Sequence, residues 1–290
     1  MRVEEMIERV WPGRDAVFDV LGGGITNRNF KVTLDDGSYV LRVGGKDTEL
    51  LGIDRRVEHE ASLAAAAVGV GPEVVAFVEP EGYLVTRFLD GTVVEPQAIR
   101  EPEPLRRVAR SLRAVHSGPP IPARFDSFRV VEAYAATAAT HGVIVPAAYD
   151  RARETAARVE RARGPAAERP CHNDLLTANF IDDGTRIRIV DWEYAGMGDV
   201  FFDLANFAVN NGLSEDETAA FLRAYFGDVR REHERALTLM RYMSDFREAM
   251  WGVVQQALSD LDFDFRAYAD EHFQRLERTA SERSFRRALS

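Results

Sequence analysis

A short stretch in the second half of the chain gathers residues that could together transfer a phosphoryl group. Asp174 is followed five positions later by Asn179, and Asp191 comes a further twelve residues on. Phosphoryl transfer needs an acceptor hydroxyl aimed at a phosphate and metal ions that bridge the phosphate oxygens. A loop aspartate can orient the hydroxyl and accept its proton, and Asn and Asp oxygens are hard ligands that suit Mg²⁺. These residue types predict Asp174 and Asn179 as catalytic residues of such a reaction.

The joint spacing of these residues is more informative than any one of them, because a lone Asp or Asn in a loop usually caps or turns the chain. Residues 172–179 fit the pattern H-x-D-L-x-x-x-N, the catalytic-loop pattern of protein-kinase-type phosphotransferases. A short apolar strand then leads into Asp191-Trp192-Glu193. A four-position loop motif followed by a strand and an acid favours a phosphotransferase site over isolated turns.

A glycine-rich stretch near the N-terminus offers independent support. Residues 21–27 read LGGGITN and lie between two predicted strands, where backbone N–H groups of a hairpin could approach phosphate oxygens. The candidates for nucleotide contact are Gly23, Gly24, Thr26 and Asn27. The stretch is neither GxGxxG nor a Walker A sequence, so a glycine-rich hairpin without a ligand remains the alternative.

A basic residue interrupts the apolar strand YVLRV that follows. Arg42 could bind the α- and β-phosphates of a nucleotide if an acid on the next helix pairs with it. Glu60 is the first candidate for this partner and Glu58 the second. The alternative is that Arg42 faces solvent on an edge strand.

The elements that would position these residues fall into two parts. Strands are predicted at 16–20, 29–34, 39–43, 74–78 and 83–88, with a helix at 56–68. After Asp90, helices are predicted at 105–116, 131–140 and 147–163, a strand-loop-strand unit at 170–190, and mostly helix from 200 onward. This order predicts an α+β protein with a β-rich nucleotide-binding part at 1–89. Residues 90–290 would carry the catalytic loop and the acceptor-binding helices.

Composition excludes several other classes of protein. The 290 residues carry a net charge of −10, which is not the electrostatic footprint of a nucleic-acid binder. A single cysteine, Cys171, excludes an intramolecular disulfide, and the absence of an HExxH element argues against a zinc hydrolase. The N-terminus lacks a signal-type apolar region, and no apolar run approaches the ~20 residues of a membrane span. We expect a cytoplasmic protein, and the oligomeric state is left open.

At this point the chain resembles a known family. The segments GGGITNRNFKV, YVLRV, CHNDLLTANF and VDWEYAGMGDVFFDLANF are similar to the choline/ethanolamine kinase family within the aminoglycoside-phosphotransferase-like group. The resemblance continues to residues 250–252 and 260–268, so it covers most of the chain. It implies a bilobal protein-kinase-like fold and transfer of the γ-phosphate of ATP to a small alcohol.

The same resemblance implies the roles of individual residues. Asp174 would be the catalytic base, Asn179 and Asp191 would bind Mg²⁺, and Glu193 would help to hold a second ion. Arg42 matches the family's basic residue in its third strand. A hinge at 86–89 would meet adenine through its backbone, which adds Arg87, Phe88 and Leu89 to the nucleotide contacts.

The resemblance implies that the acceptor is a small amino alcohol, most simply choline or ethanolamine. A quaternary ammonium cannot donate hydrogen bonds, so aromatic faces and carboxylates hold it best. Residues 248–271 contain six acids against Arg266 alone, a net charge of −5, and the rings of Trp251 and Tyr194 are candidates for the cation. A solvated acidic helix face with an aromatic core stripe is the alternative. Val254 stands where the family tends to carry a second tryptophan, and this departure widens the choice of amine.

Two rival interpretations remain at this stage. One is a kinase of another hydroxylated amine, such as thiamine or an aminoglycoside, because the loop motifs are shared among these enzymes. The other is a pseudokinase that binds nucleotide or amine without turnover. A protein kinase is not supported, because the Asp-Phe-Gly and Ala-Pro-Glu elements of an activation loop are absent from the sequence.

Overall fold

The chain begins with a helix that the sequence analysis did not predict. In the computed structural model, which describes residues 2–22 and 27–290, α1 spans Val3–Val10 and buries Met6 and Ile7. The 3-1-3 spacing of Val3, Met6, Ile7 and Val10 is that of an amphipathic helix. A helix this short is marginal in isolation, so its packing against the rest of the protein stabilises it.

The predicted strands are confirmed, each end within two residues of its predicted position. Within the described residues they form one antiparallel sheet in the order β1-β2-β3-β5-β4. The strands are β1 (Val17–Leu21), β2 (Asn27–Leu34), β3 (Gly37–Gly44), β4 (Val74–Val78) and β5 (Tyr83–Arg87). Gly37, where β2 turns into β3, has a positive φ. Strand alternation buries Tyr39, Leu41 and Val43 in a small core with α1, and turns Arg42 to the opposite face of the sheet.

The predicted helix between the strands is also confirmed. α2 (Arg55–Ala67) begins at Asp54, whose carboxylate accepts hydrogen bonds from the backbone N–H groups of Arg56 and Val57. Its buried residues recur at three- and four-residue spacing and form one face of the helix: Glu58, Ala61, Ser62 and Ala65. A buried glutamate on this face must find a partner inside the protein.

The second part of the chain is mostly helical, as predicted. Its helices are α3 (Pro102–His116), α4 (Ser127–Thr140), α5 (Ala148–Arg163), α6 (Val200–Asn210), α7 (Glu215–Phe226), α8 (Arg231–Leu258), α9 (Phe265–Ser281) and α10 (Arg283–Leu289). α8 is buried along most of its length and packs against α4, α6 and α9. Two predicted helices start too late, because Pro102 is tolerated in a first turn and Asp126 caps α4. None of the described helices combines the length and apolar composition that a bilayer span requires.

Short strands frame the predicted catalytic loop. They are β6 (Thr92–Val93), β7 (Glu168–Cys171), β8 (Phe180–Asp182), β9 (Ile187–Ile189) and β10 (Gly196–Asp199). β7 pairs with β10, and β8 lies between β6 and β9. The loop 172–179 therefore runs between two anchored strands, and Asp191 follows directly after a third.

The apolar interior divides into a small core and a large one. The small core joins α1 to one face of the five-stranded sheet, and the large core fills the helical part. Five residues from the first part pack into the large core: Leu51, Ile53, Ala61, Ala65 and Val70. The division at residue 89 therefore stays a prediction, since α2 packs with the residues that follow it.

Candidate active site

A cavity of about 500 Å³ lies between the sheet and the loops of the helical part. Its wall includes six of the residues selected from the sequence: Arg42, Arg87, Phe88, Leu89, Asn179 and Asp191. Apolar residues Val40 and Leu84 of the sheet and Trp192 of the loop complete much of its surface. The cavity thus has an apolar wall and a charged end, as a nucleotide requires.

The glycine-rich stretch is placed only in part. Gly23, Gly24 and Thr26 lie outside the described residues. Asn27 is buried at the start of β2, and its Nδ2 donates a hydrogen bond to Oε2 of Glu193 at 2.8 Å. This contact brings the end of the glycine-rich stretch to the acid of the Asp-Trp-Glu segment.

Arg42 lies at the charged end of the cavity among three carboxylates. Its Nε is 2.6 Å from Oε1 of Glu58, its Nη2 is 3.3 Å from Oε2 of Glu193, and Nη2 also donates to Asp191. Burial alone would lower the pKa of Arg42, but the charges of Asp191, Glu58 and Glu193 outweigh it and raise the pKa. Arg42 is therefore a permanent cation and does not face solvent.

The prediction that Glu60 is the partner of Arg42 is wrong. The carboxylate that meets Arg42 belongs to Glu58, the second candidate, whereas Glu60 is exposed and lies 3.8 Å from Nδ1 of His59. Two residues along a helix amount to a rotation of about 200°, so Glu58 and Glu60 point in nearly opposite directions. The buried face with Ala61 and Ala65 determines which glutamate points inward.

The candidate magnesium ligands form a set of oxygen donors. Asn179 uses its Nδ2 to donate to the carbonyl of Asp174 at 2.9 Å, which leaves its amide oxygen as the ligand atom. Asp191 and Asn179 line the same cavity, and Glu193 meets the same Nη2 of Arg42 as Asp191 does. The amide oxygen of Asn179 and the two carboxylates, which already contact the cation Arg42, are hard donors that fit an ion such as Mg²⁺.

Two residues at this site take a left-handed backbone conformation. Asn173 has φ of 67° and Asp191 has φ of 70°. Such angles are costly for residues other than glycine, although Asn and Asp tolerate them best, and they often occur at functional sites. Here they turn the chain sharply beside Asp174 and immediately after β9.

Side chains of α6 accept hydrogen bonds from the backbone of the predicted catalytic loop at residues 172–179. The carboxylate of Asp203 accepts hydrogen bonds from the backbone N–H groups of His172 and Asn173, both at 2.7 Å. Oδ1 of Asn206 accepts another from the N–H of Leu175 at 2.6 Å. The sequence analysis missed both residues. Their signal was two polar residues three positions apart on an otherwise apolar helix.

The connection from α6 extends in two further directions. Asn211, directly after α6, donates to the carbonyl of Leu175 at 3.2 Å and accepts from the hydroxyl of Thr177 at 2.7 Å. Asn206 donates to Oγ of Ser244 on α8 at 3.1 Å. The loop, α6 and α8 are thus joined by one hydrogen-bond network.

Asp174 is not among the residues that line this cavity, and it pairs with a buried cation. Nη1 of Arg247, on α8, donates to Oδ1 of Asp174 at 3.0 Å and to Oε1 of Glu248 at 2.7 Å. The guanidinium lies 4.4 Å from the ring centre of Tyr194, and its side chain is 1% exposed. The sequence analysis missed Arg247, because the acidic stretch that it considered began one residue later.

Aromatic residues surround this ion cluster. Nε1 of Trp251 donates to the hydroxyl of Tyr194 at 3.1 Å, so the two predicted acceptor-site rings are in contact. Tyr268 donates its hydroxyl to Oε2 of Glu248 at 2.9 Å and lies edge-on to Trp251. Asp262, by contrast, lies in the exposed segment before α9. Of the acids between 248 and 271, Glu248 is the buried one that reaches the cluster.

The protonation of this cluster follows from its burial. Desolvation raises the pKa of Asp174 to about 7, although the charge of Arg247 opposes the rise. Burial also acts against ionisation of Glu248, but the charges of Arg247 and His272 and the hydrogen bonds from Tyr268 and Arg247 together outweigh it and lower the pKa of that carboxyl. A carboxyl with this pKa can accept a proton near neutral pH, whereas Glu248 remains charged.

Comparison with known proteins agrees with this geometry. The model of the phosphotransferase enzyme family matches residues 18–239. A choline/ethanolamine kinase family protein from Mesorhizobium loti is 32% identical in its crystal structure, with 99% of this chain and 97% of that chain covered and a TM-score of 0.85. Choline kinase LicA from Streptococcus pneumoniae is 22% identical, with 97% and 98% covered and a TM-score of 0.81. Human ethanolamine kinase 2 is 27% identical, over 85% of this chain and 71% of the human protein.

Proposed function

The chain belongs to the phosphotransferase enzyme family and is a small-molecule kinase of the choline/ethanolamine type, and from this premise we propose that it phosphorylates choline with ATP to give phosphocholine. The protein-kinase-like fold and the binding of a nucleotide come with that membership. The identity of the acceptor, the magnesium ions and the roles of individual residues are parts of the proposal.

One observation supports a cationic acceptor above all others. The space beside Asp174 already holds a cation, the guanidinium of Arg247, between two carboxylates and over the ring of Tyr194. An ammonium group is stabilised by the same surroundings. Trp251, in contact with Tyr194, adds a second aromatic face next to this space.

Ethanolamine is the second candidate acceptor, and Glu248 is the reason. A primary ammonium donates hydrogen bonds, which a quaternary ammonium cannot do, and a buried ionised carboxylate is a strong acceptor for them. Glu248 is 3% exposed and lies beside Arg247. The aromatic faces favour choline and the carboxylate favours ethanolamine.

The reaction is a direct transfer of the γ-phosphoryl group to the hydroxyl. Asp174 orients the acceptor hydroxyl and takes its proton as the new O–P bond forms and the bond to the ADP oxygen breaks. Arg42 binds the phosphates, and the backbone of residues 87–89 meets the adenine. Asn179, Asp191 and Glu193 would hold magnesium, which would neutralise part of the phosphate charge. In this proposal residues 1–89 bind the nucleotide and residues 90–290 bind the acceptor.

The test is product identification with the purified protein. ATP and Mg²⁺ are incubated with choline, ethanolamine, thiamine or an aminoglycoside, ADP release is followed, and the phosphorylated product is identified by phosphorus NMR. We expect phosphocholine to form with the highest kcat/KM and phosphoethanolamine with a lower one.

The other outcomes discriminate among the alternatives. A higher kcat/KM for ethanolamine would replace choline by the second candidate. Turnover of thiamine or the aminoglycoside alone would contradict an amino-alcohol acceptor. A mock purification from cells that do not express this chain serves as the control, since ADP release that persists in it comes from a contaminating enzyme.

A further inference from the structure

A second arginine meets two of the carboxylates that Arg42 contacts. Arg55 is the first residue of α2, and its Nη1 lies 2.7 Å from Oε2 of Glu58 and 3.3 Å from Oε2 of Glu193. Its Nη2 donates to Oγ1 of Thr48 at 3.1 Å. The side chain is 17% exposed, so Arg55 is not a solvated surface cation.

The two arginines and two glutamates close a ring of alternating charge. Arg42 meets Oε1 of Glu58 and Arg55 meets Oε2, so Glu58 bridges the two guanidinium groups. Both arginines lie 3.3 Å from the same oxygen of Glu193. The members come from β3, α2 and the segment after β9. The ring therefore ties the sheet and α2 to the segment that carries Asp191.

The backbone around Arg55 leaves room for its side chain. A Cβ at Gly44, the last residue of β3, would lie 2.7 Å from Nε of Arg55, which is too close for non-bonded atoms. A Cβ at Gly82 would lie 3.2 Å from the Cβ of Arg55. Gly44 does not have a left-handed backbone that would require glycine, so its role is the space that it gives the guanidinium.

We propose that Arg55 is a positioning residue for phosphoryl transfer: it holds Glu58 and Glu193 in place while Arg42 binds the phosphates of the nucleotide. This inference rests on the roles proposed for Arg42 and Glu193. Nη2 of Arg42 contacts both Asp191 and Glu193, and phosphate oxygens would compete for its N–H groups. A buried carboxylate that loses its paired cation is strongly destabilised. Arg55 is the cation that would stay paired with Glu193 when the phosphates occupy Arg42.

The experiment compares Arg55→Gln with a matched control at the next residue. Arg56 is 80% exposed and pairs with Glu79 on the surface, so Arg56→Gln removes the same charge outside the ring. Calorimetry measures ATP affinity with and without Mg²⁺, and steady-state kinetics gives the KM values of both substrates. We expect Arg55→Gln to weaken Mg²⁺-dependent ATP affinity by roughly tenfold, while affinity without Mg²⁺ and the acceptor KM change by less than about twofold. Arg56→Gln should match the wild type.

Two further variants separate position from charge. Arg55→Lys should recover part of the loss, because an ammonium replaces the charge but not the fork that bridges two carboxylates. Gly44→Ala keeps the charge and displaces the guanidinium, and it should weaken the same Mg²⁺-dependent affinity by about threefold. Both are milder than Arg55→Gln, so they also serve if that variant does not fold.

A lowered unfolding temperature of the Arg55 variants with unchanged Mg²⁺-dependent affinity would overturn the inference and make Arg55 a structural ion-pair residue. Equal losses with and without Mg²⁺ would also overturn it, since they would mean direct contact with the nucleotide. Arg42→Ala is the reference for the underlying proposal. Normal nucleotide affinity in that variant contradicts the proposed function itself, whereas an Arg42 effect with silent Arg55 variants contradicts only the inference.

Discussion

The proposed nucleotide side and the proposed acceptor side of this site differ in how they are prepared for their ligands. The nucleotide side is an open cavity of about 500 Å³ with Arg42 at one end. On the proposed acceptor side, Arg247 already pairs with both Asp174 and Glu248, and Arg247 is 1% exposed. A nucleotide would enter an existing cavity, where its phosphates would compete with Asp191 and Glu193 for Arg42, whereas an acceptor must compete with a cation that belongs to the protein. Changes on the two sides should consequently alter different kinetic constants.

The largest expected effect comes from the proposed catalytic base. Asp174→Asn should lower kcat by about 10²–10⁴-fold, because an amide keeps the shape but cannot take the proton of the acceptor hydroxyl. ATP affinity should stay near that of the wild type, since Arg42 and the cavity wall are unchanged. Steady-state kinetics and calorimetry measure the two quantities.

The control for this variant is Asp216→Asn, at an exposed aspartate in the first turn of α7. It should behave as wild type. Retention of more than half the wild-type kcat in Asp174→Asn would remove Asp174 from the mechanism. An unfolding temperature recorded for each variant shows whether the loss of the Arg247 partner, rather than chemistry, is responsible.

An intermediate effect is expected on the nucleotide side. Asp191→Asn is preferable to alanine, because Asn tolerates the left-handed backbone at this position and Ala does not. The loss of a charged ligand should raise the Mg²⁺ concentration for half-maximal rate by at least about tenfold, with little change in the acceptor KM. A titration of Mg²⁺ at saturating ATP measures this. Unchanged metal dependence would mean that the Asp-Trp-Glu segment does not bind the ion.

The smallest effect should appear on the acceptor side. Trp251→Leu removes a ring that a quaternary ammonium would contact. Because such a contact is worth about 0.5–2 kcal/mol, the increase in the KM for choline should lie between severalfold and ~30-fold. Trp251→Phe keeps an aromatic face but loses the N–H group that donates to Tyr194. It should raise the KM for choline by less than Trp251→Leu does. ATP constants should not change in either variant. Equal losses for choline and ethanolamine would assign Trp251 a packing role.

The sequence could predict those features that are indicated by residues close together in the chain. The alternation of apolar and polar residues along the strands and the spacing of residues 172–179 can both be read from short runs of neighbouring residues. The sheet and the fold class could therefore be predicted. The choice of Glu60 over Glu58 failed because the phase of a helix depends on which face packs, and the alanines that set that face were not used to orient it. α1 was missed because eight residues with four charges, Glu4, Glu5, Glu8 and Arg9, carry a weak local signal.

Residues whose partners lie far along the chain could not be found from local pattern. Arg55 meets Glu193, 138 positions away, and Arg247 meets Asp174, 73 positions away. Both are ordinary arginines in their own helices, and only the fold brings their acids to them. An arginine next to an acid within an apolar stretch of a helix would have been the most useful sign in the sequence, and Arg247-Glu248 has that form.

The support that α6 gives to the catalytic loop has a consequence for how slowly its amide hydrogens exchange with solvent. The N–H groups of His172, Asn173 and Leu175 belong to a loop, yet each is bonded to a side-chain oxygen of α6. Exchange at these positions requires the loop to separate from a helix that is buried along residues 201–209. Such an opening approaches the cost of unfolding the core. The catalytic loop thus takes its kinetic protection from the helix beneath it rather than from its own conformation.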